Sequence, residues 1–236
     1  MNEQAKKSIQ EEIELLENLF EFIIPKYREA HDIIVSMLDF DGTQEIRIAD
    51  LGCGFGELSR RLLEMLPTAI VFGIDNNMDI LQRTRKKLKD FADRFLVYER
   101  DLNSNAWFHD LGPLDAVVSS FTLDYLELDR HKALLSEVFE MLNPQGRFVS
   151  CEFFKAVDNR VNRVFHDVEI QYIQNALKKG SVSQEQIEQL TKSTILRQDH
   201  HLCTIETKID WLRAAGFDKI EIPWKFLNLA VVSAVK

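Results

Sequence analysis

The sequence predicts an α/β fold: a seven-stranded, mostly parallel sheet with an antiparallel C-terminal strand, N-terminal helices and a helical insertion after the fifth strand. Three observations carry that expectation. Short apolar runs of strand character recur near residues 46–51, 69–74, 95–100, 114–119 and 147–153. Stretches of helical apolar period lie between them, near 56–66, 77–91 and 129–142. Such alternation demands right-handed crossovers and a parallel sheet covered on both faces. Finally, residues 219–224 and 228–235 read as two consecutive strands, a hairpin at the sheet edge.

The first forty-odd residues read as two helices. Ile9, Ile13, Leu16, Leu19, Phe20 and Ile23 recur at helical spacing up to a break at Pro25. Ala30, Ile33, Ile34, Met37 and Leu38 form a second stripe, ending near Asp41-Gly42. After the fifth strand the alternation stops. Residues 158–178 and 183–197 read as two long helices separated by Lys179-Gly180-Ser181, and a helix near 205–215 resumes the rhythm. With 236 residues and 45% hydrophobic content the chain can bury one sizeable core, so a single domain over 1–236 is expected. Its parts are an N-terminal helical lid (1–42), a ligand-binding core (43–155), a helical insertion (156–203) and a C-terminal helix with the edge hairpin (204–236). Ligands of α/β sheets bind beyond the strand C-termini. The lid and the insertion start or end on that side, so they are expected to cover the pocket and set substrate choice.

Composition narrows the class. The formal charge of −9 argues against a broad phosphate-binding surface, so nucleic acid is not the expected partner. Three cysteines, Cys53, Cys151 and Cys203, are odd in number and widely spread, which does not suit a disulfide framework. Residues 1–6 show no signal-peptide apolar region and no apolar run approaches membrane-spanning length, so a cytoplasmic protein without membrane contact is expected. Homodimerisation is compatible with all of this.

The densest signal is Asp50-Leu51-Gly52-Cys53-Gly54-Phe55-Gly56, between the first strand and the helix that follows. A strand that turns through glycines into a helix lets backbone N–H groups approach a ligand at the positive end of the helix dipole. A second acid, Asp75, closes the next strand, where a ribose would lie. The dinucleotide fingerprint wants its third glycine at position 57, which here is Glu57. Glycines at 52, 54 and 56 directly after Asp50 instead resemble motif I of the class I S-adenosylmethionine (SAM) methyltransferases, a Rossmann-like family. The resemblance extends in order to Asp75-Asn76, Asp101-Leu102, Asp115–Ser120, the turn at Leu142–Phe148, and Trp211–Phe217.

That resemblance implies SAM as cofactor, S-adenosylhomocysteine (SAH) as product, and a small-molecule methyl acceptor. By it, Gly52, Cys53, Gly54 and Gly56 form the loop at the methionine moiety, and Asp50 fixes loop amides or reaches the methionine ammonium through water. Asp75 takes the ribose hydroxyls, Asn76 and Leu102 flank adenine, Asp101 accepts from its exocyclic amine, and Ser119 and Ser120 line the cofactor. Residues 24–31 and Phe121-Thr122-Leu123 also resemble the subfamily that includes carboxy-SAM synthases. This implies Tyr27 at the methionine end. Those synthases use an arginine in the insertion, whereas residues 176–180 read Ala-Leu-Lys-Lys-Gly, and they lack the second and third glycines of the loop. Simple methyl transfer is therefore expected. A carboxy-SAM synthase-like activity, macromolecular methylation and a non-catalytic SAM-binding role are the alternatives.

Other residues have plainer readings. Cys53 reads as a small filler of the loop. Asp199-His200-His201-Leu202-Cys203 has no second ligand cluster, so no metal is expected. The basic run Arg83–Lys89 reads as a solvated helix face. Asp124-Tyr125, just past the fourth strand, is the expected catalytic pair, with Asp124 as base or cation anchor. The competing reading is a contact to the following helix.

Overall fold

A computed structural model describes residue 17 and residues 19–40, 42–179, 182–192 and 201–236. The chain divides into two compact units: Met1–Arg28 with Ala156–Asp199, and Glu29–Lys155 with His200–Lys236. Ala30, Ile34, Val35, Leu38 and Cys203 pack with the sheet. Ile9, Ile13, Leu16, Gly180, Ser181, Asp199 and His200 lie outside the described residues.

The larger unit holds α1 (Tyr27–Ser36, from Glu29 onward), β1 (Ile46–Leu51), α2 (Glu57–Met65), β2 (Ala69–Asp75), α3 (Met78–Lys87), β3 (Phe95–Glu99), β4 (Leu114–Ser120), α4 (Leu128–Met141) and β5 (Leu142–Phe153). The smaller unit contributes α5 (Asn159–Lys178) and α6 (Gln184–Lys192); α7 (Ile205–Ala215), β6 (Asp218–Phe226) and β7 (Leu229–Val235) complete the larger one. The seven strands run β3-β2-β1-β4-β5-β7-β6. β1 pairs in parallel with both β2 and β4, while β7 is antiparallel to β5 and β6. The order therefore reverses between β1 and β4, and that switch point is where such a sheet opens a crevice.

Each sheet face has its own core. On one, Leu51, Phe72, Val117 and Phe148 meet Leu134, Leu135 and Val138 of α4 and Leu212 of α7. On the other, Ile48, Val71, Val118 and Cys151 meet Ala30 and Ile34 of α1 and Leu58 and Leu62 of α2. Full burial of each large aliphatic contributes roughly 1.5–3 kcal/mol, which is what holds helices this short.

β5 begins at residue 142, five earlier than its apolar run. The cause is tertiary: Gln145 N–H donates to the Lys236 carbonyl, and Lys236 N–H to that of Gly146. In the smaller unit, Asp158 caps α5 by accepting from the Arg160 N–H, and Leu19, Ala176 and Val182 are buried. No helix among the described residues is long and apolar enough to cross a membrane.

Candidate active site

The glycine loop leaves β1 at the switch point and is tied down from three sides. Cys53 N–H donates to the Ile74 carbonyl at 2.9 Å, Gly54 N–H to Asp75 Oδ2 at 3.0 Å, and Thr84 Oγ to the Gly54 carbonyl at 2.6 Å. Gly52 has φ +68°, and a Cβ there would lie 2.1 Å from the Thr122 side chain. Gly54 also has positive φ, +49°, but its Cβ would meet only the Gly52 carbonyl, at 3.9 Å. Gly52 is thus glycine for close packing, and Gly54 faces open space. Gly56 precedes α2, against Thr84 and Leu88.

This asymmetry gives a prediction. Gly54→Ala should fold with a penalty of about 1 kcal/mol for its φ, yet weaken SAM binding at least tenfold, because its methyl occupies the open side of the loop. Calorimetry on the folded variant checks it, and unchanged affinity would place the cofactor elsewhere.

Acids close three neighbouring strands: Asp50 in β1, Asp75 in β2 and Asp101 just after β3. Adjacent strands lie about 4.8 Å apart, so the row spans roughly 10 Å along the sheet edge. Asp75 accepts from the Gly54 and Asn77 N–H groups, and burial raises its pKa against those hydrogen bonds. Asn76 is exposed beside it. Asp101 is exposed and accepts from Asn103 N–H and Nδ2 in a local turn.

Asp50 departs from expectation. It does not fix the loop amides; Asp75 does that. Its Oδ2 accepts from Ser59 Oγ at 2.6 Å, and Oδ1 is buried with no hydrogen-bond partner among the described residues. Burial, reinforced by nearby Asp75, pushes its pKa up to about 7.

Other expected contacts also move. Ser119 is fully buried and donates to the Leu51 carbonyl at 2.8 Å, so it staples β4 to β1 rather than lining the cofactor. Leu102 packs into the core, and its carbonyl accepts from Arg130 Nε, which leaves Asn76 and Asp101 as the exposed groups near that edge. Cys53 is buried, with burial raising its thiol well above the usual range, as suits a filler. Tyr27 opens α1 and belongs to the smaller unit. Arg85, Lys86, Lys87 and Lys89 are exposed on and after α3 while Thr84 and Leu88 are buried, a solvated helix face.

Asp124, the expected base or cation anchor, is enclosed. It lies in the turn Leu123–Tyr125 and is only 2% exposed, with its carbonyl accepting from the His201 N–H. Tyr125 is half-buried, its phenol pushed up to about 12 by burial and by Asp124. At the end of β4, Ser120 Oγ meets His31 Nε2 at 3.1 Å. His31, from α1, is fully buried, and burial pushes its pKa down to about 3, with Arg61 and Arg60 outweighed in part by Glu57. Sequence reading missed His31 because one histidine on an apolar helical stripe looks like core.

It also missed a charged cluster beneath the Leu123–Tyr125 turn. Lys208 Nζ of α7 donates to Glu152 Oε1 of β5 at 2.7 Å and lies 2.6 Å from His131 Nε2 of α4; Ser150 Oγ donates to the same Glu152 oxygen. All four side chains are buried. Burial and then Lys208 lower His131 to about 3, so its ring is neutral and accepts from the ammonium. Burial works against the Glu152 charge, but Lys208 holds that carboxyl below its usual range. The available signal was a glutamate inside an otherwise apolar strand.

The two neutral histidines make the protein acid-sensitive. A histidine lowered on folding contributes stability that is full above its unfolded pKa of about 6.5 and is lost as pH falls toward the folded value. Asp50, raised on folding, acts oppositely over roughly pH 4–7. Wild type should therefore lose its stability advantage over His131→Gln by about 1.4 kcal/mol per pH unit between pH 6 and 4. Urea unfolding of both proteins at each pH checks this, and a constant difference would mean His131 titrates normally.

With this geometry in place, comparison with known proteins is informative. A methyltransferase-domain family profile matches residues 48–146, the stretch from β1 to the β5 turn. That stretch carries the methyltransferase-domain match, and the fold is the Rossmann-like α/β fold of SAM-dependent methyltransferases. Among curated proteins it is similar to the carboxy-S-adenosyl-L-methionine synthase of Nautilia profundicola, 23% identical over 90% of this chain and 87% of the relative. Among solved structures it resembles magnesium protoporphyrin IX methyltransferase from Synechocystis PCC 6803 with bound SAH. That match has a TM-score of 0.60 and 19% identity, over 89% of this chain and 83% of the other. An O-methyltransferase family protein from Burkholderia thailandensis gives a TM-score of 0.64 at 14% identity, with 91% of this chain spanning 58% of that one.

The residues fit SAM on their own chemistry. Gly54 leaves space beside the loop, buried Asp50 Oδ1 is an acceptor that needs a donor such as an ammonium, and Asp75 and Asp101 are further carboxylate acceptors at the ends of the next two strands.

Proposed function

We propose that this enzyme methylates a small-molecule acceptor at the edge between the glycine loop and the C-terminal ends of β4 and β5. The observation that carries the reading is the acid row beside the open loop, with Ser120 and His31 as the polar pair across the switch point. When bound, SAM supplies an electrophilic methyl group; the acceptor's lone pair takes it, the C–S electrons stay on sulfur, and the acceptor's proton passes to solvent. Asp50 would hold the methionine ammonium, Asp75 the ribose hydroxyls, and Asp101 the adenine amine. Ser120, held by neutral His31, would orient the acceptor, and such alignment can contribute roughly 7–11 kcal/mol to lowering the barrier. The acidic edge and the net charge of −9 favour a small molecule over nucleic acid.

The similarity to carboxy-SAM synthases supports a second reading, carboxylation of the cofactor itself. Against it stands the stretch Ala176–Lys179, which offers no arginine for the added carboxylate. Native mass spectrometry of the purified protein, joined to calorimetry with SAM, SAH and NAD, tests both readings. Bound SAM or SAH is expected. A cofactor made heavier by a carboxyl group after incubation with prephenate would favour the second reading, and binding of NAD alone would sink both.

A further inference from the structure

Arg130 stands in the first turn of α4, where a cation opposes the helix dipole. Helix formation therefore does not favour it there. Its guanidinium reaches instead to the turn that follows β3. Nε donates to the Leu102 carbonyl at 2.6 Å and Nη2 to the Ser104 carbonyl at 3.1 Å. Nη1 and Nη2 each grip one oxygen of Glu137, two helical turns along, at 2.6 Å. Fully buried Trp107 donates from Nε1 to the same carboxylate at 2.6 Å. Arg130 and Glu137 are each only 15% exposed.

The turn held in this way carries Asp101. That carboxylate is exposed, and its Oδ1 accepts from Asn103 N–H at 2.9 Å and from Asn103 Nδ2 at 3.0 Å. The Asp101 carbonyl accepts from the Ser104 N–H at 3.0 Å and closes the turn. Such bonds fix Asp101 relative to its neighbours, but they move with the turn. The turn itself is anchored by the Leu102 side chain in the core and by the two carbonyls on Arg130. Water can satisfy carbonyls at an exposed turn, and immobilising an arginine on them costs rotamer entropy. What the clamp adds is a constant orientation for Asp101.

Resting on the assignment of Asp101 to the adenine amine above, we infer that Arg130 is a positioning residue for adenine recognition. Braced by Glu137, it holds the Leu102 and Ser104 carbonyls so that Asp101 meets the exocyclic amine already oriented. A site preset in this way spends less binding free energy on ordering its own turn. It also rejects a base with a carbonyl in place of the amine, because two acceptors would then face each other. A turn free to swing loses that discrimination.

The test titrates the full-length protein by calorimetry with SAH and with S-inosylhomocysteine, in which a carbonyl oxygen replaces the amine. Wild type should bind SAH at least about tenfold more tightly. Arg130→Lys keeps a charge beside Glu137 and so should fold, but one ammonium cannot span both carbonyls and the carboxylate. It should bring the preference below about threefold, since the fork geometry is lost. Glu137→Gln keeps an acceptor for Trp107 and weakens the brace, so it should shift the preference in the same direction. Circular dichroism establishes the folding of each variant. A merely structural role would weaken both ligands alike, so an unchanged ratio in the folded variants, or loss of folding in both, would overturn the inference. Equal binding of the two ligands by wild type would do the same. Asp101→Ala separates the inference from its basis: if it abolishes the preference and Arg130→Lys does not, the clamp has no part in adenine recognition while Asp101 keeps its assignment. Failure of wild type to bind SAH at all would instead remove the methyltransferase reading.

Discussion

Replacing Lys208 by methionine should destabilise the protein by about 3–5 kcal/mol, because it leaves Glu152 charged, buried and uncompensated. At roughly 2–4 °C per kcal/mol for a chain of this size, the melting temperature should fall by about 10 °C. The physical ground is the geometry beneath the Leu123–Tyr125 turn. The Lys208 ammonium bridges Glu152 at 2.7 Å and the neutral His131 ring at 2.6 Å, with Lys208 and Glu152 no more than 1% exposed. Removing both charges together, in Lys208→Met with Glu152→Gln, should recover much of the loss, since neither partner is then left unpaired. Urea denaturation with coincident transitions by fluorescence and circular dichroism measures both variants. A single variant as stable as wild type would mean that solvent reaches Glu152 and that the cluster is not the clamp its burial indicates. The clamp joins α4, β5 and α7 under the segment from His201 to Thr204, whose backbone bonds reach Asp124 and Lys155.

Asp75→Ala should weaken SAM and SAH binding by about 2–3 kcal/mol, the scale of hydrogen bonds to a charged group. That corresponds to a factor of roughly 30–150 in dissociation constant. The structure gives Asp75 two tasks. It receives the Gly54 and Asn77 N–H groups, which set the loop, and it stands between Asp50 and Asp101 in the acid row. Asp75→Asn separates them: it retains an acceptor oxygen for the loop but loses the charge and one acceptor for the ribose, so its affinity should fall between alanine and wild type. Calorimetry on both variants, with circular dichroism to establish folding, is the measurement. An unaltered dissociation constant in folded Asp75→Ala would remove this carboxylate from the cofactor site.

Much of the architecture was readable because it depends on local chemistry. Strands β1, β2 and β4 fall within a residue of their apolar runs, and α7 covers the expected 205–215, where the structure shows Thr204 capping its start and Gly216 its end. The glycine loop was legible for the same reason, since positive φ and close approach restrict which residues can stand there. Within the site, Asp75 could be located from its position at a strand end, because chain direction alone carries strand ends to one edge of a parallel sheet.

Tertiary structure decided what the side chains at those positions touch. Asp50 and Asp75 both follow from motif position, yet only Asp75 holds the loop amides, while Asp50 turns to Ser59, nine residues on and one helical turn into α2. Ser119 and Ser120 are adjacent, but strand alternation sends Ser119 to the Leu51 carbonyl and Ser120 to His31. His31 and Ser120 are 89 residues apart, and Lys208 and His131 are 77 apart, separations over which no periodicity or spacing rule operates. By itself the sequence determined the sheet, the loop and the row of acids, because each follows from backbone geometry and neighbouring residues. Only the folded chain decided which acid is buried and which histidine is neutral, because those properties come from desolvation and contact between distant segments.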